Sequence, residues 1–212
     1  MELLAWFVDV VLNLDKYLVE LVRQYGAWIY AILFAIIFAE TGFVVTPFLP
    51  GDSLLFVAGA VAASGAMDVH MLVALLIMAA FLGNSVNYAV GRWLGRCFFT
   101  DRGARWLNPS HLDKAHAFYE RHGGKALVIS RFLPIVRTYI PFVAGMGAMD
   151  PARFTAFNFG GGVLWVASLC YAGYLFGNIP WIRGNLTAII VGIIVVSLLP
   201  LAYAWLRSRL SK

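Results

Sequence analysis

Between residues 27 and 66, two apolar stretches are interrupted in a way that few folds tolerate. Residues 27–39 form the first and 53–65 the second. Glu40-Thr41-Gly42 and Pro47-Phe48-Leu49-Pro50-Gly51-Asp52 lie between them. Each stretch holds about 13–14 residues, or about 20 Å of helix, against a hydrocarbon core about 30 Å thick. Neither spans alone, and two prolines with a glycine break the join. The pattern predicts a re-entrant hairpin: half a helix in, an irregular tip, half a helix out. Irregular backbone is tolerated at membrane depth only where it is buried in protein or lines a cavity.

The membrane setting follows from composition. Hydrophobic residues make up 61% of the 212, charged residues 13%, and the mean hydropathy is +0.79. A soluble domain is about half apolar and about a quarter charged, and so small a body could not bury this much apolar side chain. Soluble enzymes, nucleic-acid binders and disulfide-rich secreted domains are thereby excluded. The net charge of +5 reflects where the loops lie rather than a nucleic-acid surface. Cys97 and Cys170 read as packing residues, not a disulfide framework. The start at Met1-Glu2, with no basic n-region and no A-x-A site, does not read as a signal peptide.

Residues 1–25 are expected to form an amphipathic helix in the interface, with a polar span packed against other helices as the alternative. Leu4, Val8, Val11, Leu14, Leu18, Leu21 and Val22 recur near helical spacing among Asp9, Asp15, Lys16, Glu20 and Arg23. Residues 26–206 read as one transmembrane domain: a re-entrant segment at 27–66, a span at 69–90, a basic loop at 91–125, a re-entrant segment at 126–150, and spans at 154–177 and 186–206. A tail, 207–212, follows. The loop holds Arg92, Arg96, Arg102, Arg105, Lys114, Arg121 and Lys125 against Asp101, Asp113 and Glu120. The positive-inside rule puts it in the cytoplasm, beside anionic lipid headgroups. Asn108-Pro109-Ser110 reads as a turn and cap before a short helix at 111–122. Arg207, Arg209 and Lys212 put the tail on the same side.

Residues 126–149, with Arg131, Pro134, Arg137 and Pro141, are long enough for one kinked span or a second hairpin. One crossing would strand a basic segment outside, whereas two half-crossings keep both inside, which favours the hairpin. The expected fold is therefore all-α: a polytopic membrane helix bundle with two re-entrant hairpins opening to opposite faces, as in inverted-repeat transporters. Gly91-x3-Gly95 and Gly173-x3-Gly177 echo each other, although small-residue helix packing accounts for them equally well.

Four ionisable residues fall in the predicted tips: Glu40, Asp52, Arg131 and Arg137. Each costs roughly 2.5–3.5 kcal/mol at a helix centre, so they should be paired and used. Two acids and two arginines sum to zero, and if the tips meet the quartet neutralises itself. Arg131 and Arg137 are suited to grip a phosphate through forked, charge-assisted hydrogen bonds. The anion then competes with Glu40 and Asp52, and a carboxylate released in a dry cavity takes up a proton. A salt-bridge set that only docks the hairpins, or arginines snorkelling to the interface, would use the same residues without transport.

Glu40, the Pro50-Gly51-Asp52 turn, Arg131-Phe132-Leu133-Pro134-x2-Arg137-Thr138 and Ala144-Gly145 resemble the bacterial DedA family, whose fold is shared by eukaryotic VTT-type lipid scramblases. The resemblance covers roughly residues 26–180. It implies an inner-membrane protein that flips undecaprenyl phosphate back across the membrane, driven by a proton or sodium gradient. It also puts Glu40, Asp52, Arg131 and Arg137 on functional charged positions. Where many members carry an acidic residue near position 84, this chain has Asn84, which cannot titrate.

Pro50, Gly51, Pro134, Thr138, Pro141 and Gly145 are expected at the tips or cavity. Asn84, Asn87 and Tyr88, on an otherwise apolar span, are expected to line the cavity or to hydrogen-bond between helices. His70, His111, His116 and His122 are scattered, and no metal site, cofactor or enzymatic chemistry is expected. Without a Walker motif, ATP does not drive the protein directly. Trp28, Trp93, Trp106, Trp165, Trp181 and Trp205 lie mostly near span ends, as interfacial anchors do. The expected function is translocation of a phosphate-headed lipid. The alternatives are a small-solute carrier, an energy-independent scramblase and a non-transporting assembly factor.

Overall fold

The computed structural model describes residues 14–43, 51–98 and 120–179, with isolated positions 181, 185, 188, 189, 191 and 192. All regular structure among them is helical. The elements are α1 (Leu14–Tyr25), α2 (Trp28–Gly42), α3 (Gly51–Ala62), α4 (Val69–Phe98), α5 (Ala126–Ile129), α6 (Pro134–Met146) and α7 (Pro151–Gly177). Short 3-10 turns at Gly123–Lys125 and Ser130–Phe132 flank α5. The expected span at 186–206 apart from those isolated positions, the tail, most of the basic loop and residues 1–13 fall outside the described residues.

Helices α4 and α7 are long and apolar enough to cross a bilayer. Both begin at an aspartate cap. Asp68 Oδ1 accepts the Met71 amide at 2.7 Å and Asp150 Oδ1 accepts that of Arg153 at 2.9 Å, each satisfying a donor that a helix start leaves open. Helices α2 and α3 have 15 and 12 residues. At 1.5 Å per residue they reach about 22 and 18 Å, short of the hydrocarbon core, as the broken pattern predicts.

Helix α4 runs past the expected span at 69–90 to Phe98 and so includes the first part of the basic segment. No residue there breaks a helix. Arg92 also reaches back one turn, its Nη1 donating to the Tyr88 hydroxyl at 2.9 Å. Hydropathy marks where apolar residues stop, which is not where the helix stops.

The chain divides into two compact units. The first comprises Met1–Ile32, Pro50–Ala74 and Val166–Lys212. Within it the amphipathic α1 packs on α3, burying Leu18 and leaving Glu20 and Arg23 exposed. Helix α3 is buried along its length apart from Asp52. Its Gly59 sits against the Cys170 backbone, and Gly173 of α7 against the Phe56 backbone. Cys170 is a buried free thiol, the packing role expected of it, whereas the Cys97 side chain lies outside the described residues. His70 Nδ1 and the Tyr171 hydroxyl share a hydrogen bond of 2.9 Å at an exposed position.

The second unit comprises Leu33–Leu49 and Leu75–Trp165. Its core gathers Tyr88, Leu127, Ile140, Val143 and Phe154, with the Tyr88 and Phe154 rings stacked at 4.0 Å. Here too glycines let helices touch. A Cβ on Gly91 would overlap the Phe142 backbone, and one on Gly145 the Tyr88 carbonyl. The Gly-x3-Gly echo is thus close helix packing in both units, through Gly91 in one and Gly173 in the other. Gly91→Val should cost at least about 1–3 kcal/mol by overpacking. Gly160 has open space around it, and Gly160→Ala should gain about 0.5–1 kcal/mol through helix propensity. Thermal unfolding in detergent reads both, and equal shifts would contradict the packing described.

Candidate functional site

A proline builds the geometry around the arginines. Leu133, ahead of Pro134, is held extended at φ −120° and ψ 99°, because a residue before proline avoids the α region. The 3-10 turn carrying Arg131 ends there, and α6 starts with Pro134 in its first turn, where a missing N–H is harmless. Arg137 then falls one turn into α6, its amide bonded to the Leu133 carbonyl at 2.9 Å. Further along, buried Pro141 removes the N–H that would return to the Arg137 carbonyl, but the helix runs on to Met146.

These two guanidinia are buried in the second unit. Arg137 forms an ion pair with Glu40, at the C-terminal end of α2, through Nη2 and Oε1. Glu40 is 0% exposed. Arg131, 2% exposed, is held differently, with no carboxylate partner among the described residues. Its Nη2 donates to Asn158 Oδ1 at 2.6 Å, the Asn158 carbonyl at 3.3 Å and the Ala80 carbonyl at 3.5 Å. Both arginines lie over the Trp165 ring, with Cζ at 5.7 Å for Arg131 and 5.3 Å for Arg137, within cation–π range.

A small cavity lies between them, lined by Thr41, Asn84, Arg131, Arg137, Thr138 and Trp165. It has room for about one water, so a larger ligand requires the surrounding helices to separate. Asn84 faces Asn158 Oδ1 at 3.1 Å. With its amide turned over, its oxygen accepts from Arg131 Nη2 at 2.9 Å and its nitrogen donates to the Thr41 carbonyl at 3.3 Å. Asn87 ties α2 to α6, its Nδ2 donating to the Thr138 carbonyl at 2.7 Å and the Thr41 carbonyl at 3.4 Å. A Cβ on Gly83 would strike Thr41 Oγ1, so glycine there lets α2 approach α4.

Glu40, Arg131, Arg137, Thr138 and Asn84 therefore meet at one site, with Asn87 bracing it. Tyr88 and Gly145 do not line this cavity. They pack together, and the Tyr88 hydroxyl donates to the Met149 carbonyl. Asp52 and Gly51, in the first turn of α3, belong to the first unit, where Gly51 is buried and Asp52 half-buried. Pro50 lies outside the described residues. Trp165 is not an interfacial anchor: it is 1% exposed beneath the two guanidinia, whereas Trp28, Trp93 and Trp181 are exposed. Asn158 and Thr41 escape the sequence reading. Both are polar residues in apolar helices, the same signal that marks Asn84 and Asn87.

Residues 49–175 match the VTT domain. The chain is 54% identical over 202 residues to Protein DedA of Escherichia coli K12, covering 94% of this chain and 92% of that one. It is 43% identical over 155 residues to the inner membrane protein YqjA of the same organism, covering 72% and 69%. To an uncharacterized membrane protein of Mycobacterium leprae it is 41% identical over 171 residues, covering 80% and 77%. No solved structure matches. With the domain match, these relatives and the apolar helices in agreement, the chain belongs to the DedA family of VTT-domain membrane proteins.

Proposed function

We propose that this protein carries a phosphate-headed lipid, undecaprenyl phosphate in the first instance, across the inner membrane by alternating access coupled to a proton or sodium gradient. The observation that carries the reading is Arg131, a guanidinium buried beside the cavity with only neutral partners. A buried charge is expensive unless something compensates it, and a phosphate entering beside it would do so.

Arg131 and Arg137 grip the phosphate in this reading. Glu40 is the internal anion that holds Arg137 while the site is empty. As the phosphate engages Arg137, Glu40 is released and takes up a proton, since burial disfavours its charge. Asp52, in the first turn of α3, is the second carboxylate on which a coupling ion can ride. The headgroup crosses through the cavity while the polyprenyl tail stays in the bilayer. The loop at 91–125 and the C-terminus face the cytoplasm. Helices too short to span support an inverted-repeat carrier. The choice of lipid rests on the family resemblance.

The test is translocation by the full-length protein in phosphatidylethanolamine–phosphatidylglycerol vesicles. Undecaprenyl phosphate should cross faster than in protein-free vesicles, and a phosphocholine lipid should not. Equal movement of both lipids would point to an unselective scramblase. No movement of either by folded protein would remove the lipid-carrier reading.

A further inference from the structure

The helix face that receives Arg131 is built from Asn158, Gly161, Gly162 and Trp165, at positions i, i+3, i+4 and i+7 of α7. The two glycines lie against the guanidinium: a Cβ on Gly161 would be 3.5 Å from Arg131 Nε, and one on Gly162 3.6 Å from Nη2. Asn158 is 0% exposed and bonded at both ends of its amide. Its Oδ1 accepts from Arg131 at 2.6 Å. Its Nδ2 donates to the Phe81 carbonyl at 3.0 Å and to Ser85 Oγ at 3.3 Å. Aspartate has the same size and would pair with Arg131, but its second oxygen would oppose the Phe81 carbonyl. The amide is therefore read at both ends.

Buried charged side chains among the described residues are Glu40, Arg131 and Arg137, one carboxylate against two guanidinia. The ion pair joins Glu40 to Arg137. Arg131 Nε, buried, has no hydrogen-bond partner. We infer that Asn158, with Asn84, positions Arg131 while leaving its charge uncancelled, so that an oxyanion of the phosphate class supplies the missing negative charge. Asn158 fixes one guanidinium nitrogen by a neutral acceptor, and the Nε edge stays available to the anion. A neutral headgroup has nothing to offer at this position. This deepens the proposed function and rests on it for the identity of the phosphate carrier, but the anion site itself is tested separately.

The probe is inorganic phosphate, titrated against thermal unfolding of the full-length protein in detergent, with chloride at matched ionic strength as control. Phosphate should stabilise the wild type and chloride should not. In Asn158→Asp and in Asn84→Asp, a carboxylate occupies the place beside Arg131, and the apparent phosphate affinity should fall at least about tenfold, whatever the variant's stability without phosphate. A purely structural asparagine would shift the starting stability and leave the affinity of the folded variant unchanged. Should neither variant fold, phosphate protection of Arg131 in the wild type against phenylglyoxal, read by peptide mass spectrometry, decides the matter. No phosphate stabilisation of the wild type, undiminished affinity in both variants, or unprotected Arg131 would each overturn the inference. If phosphate binds as stated but no phosphate-headed lipid crosses vesicles, the transport reading fails and this inference stands.

Discussion

Glu40→Gln is expected to leave the protein folded but destabilised by about 3 kcal/mol, with transport no longer responding to a pH gradient. Removing one partner of a buried ion pair costs about 3–5 kcal/mol, because the other charge is left uncompensated. Here Arg137 would lose the Glu40 charge while lying with Arg131 over the same Trp165 ring. Glutamine keeps the shape and an acceptor, which places the effect at the low end of the range. The double variant Glu40→Gln/Arg137→Gln removes both charges and should recover most of the lost stability without recovering transport. Thermal unfolding gives the first quantity and vesicle flux the second. Normal gradient dependence in the single variant would exclude Glu40 as the proton carrier.

Arg131→Lys should lower transport about 100-fold, or about 2.7 kcal/mol of transition-state stabilisation, while the protein stays folded. The positive charge is kept, so a mechanism needing only charge predicts a small effect. Arginine, however, offers several donors in a planar fork, where lysine presents a compact point charge. In this site the fork is already divided, with Nη2 committed to Asn158 and the Ala80 carbonyl and Nε buried without a partner. A lysine that reached Asn158 would have no second edge for the phosphate. It would also alter the cation–π contact with Trp165. Transport within about threefold of wild type would remove the forked grip from the account.

Much of this was legible from residue type alone. Charged side chains in apolar helices are rare because they are expensive, so Glu40, Arg131 and Arg137 stand out in any reading of the chain. Pro134 likewise marks the break that separates the two arginines, since proline constrains its predecessor whatever the fold. What pairs with what was not legible. The choice of Glu40 for Arg137 depends on which helix end approaches α6, and that is set by close contacts such as Gly83 on Thr41. Trp165 has the sequence signature of any membrane tryptophan, and its place under the guanidinia appears only once α7 is turned to face Arg131. Asn158 sits between Phe157 and Phe159, where a single amide looks incidental until its bonds to Arg131, the Phe81 carbonyl and Ser85 are seen together. The extension of α4 to Phe98 escaped for a different reason. Basic residues end an apolar run, but at a membrane surface they do not end a helix.

The central claim is that a buried, uncompensated arginine site moves a lipid phosphate and that a carboxylate beside it couples the movement to an ion gradient. The most direct measurement follows undecaprenyl phosphate across vesicles containing the wild-type protein, with and without an imposed pH gradient. The account predicts flipping that the gradient accelerates, with a sodium gradient as the alternative driver to be imposed in the same vesicles. Flipping equal in both directions and indifferent to either gradient would contradict it.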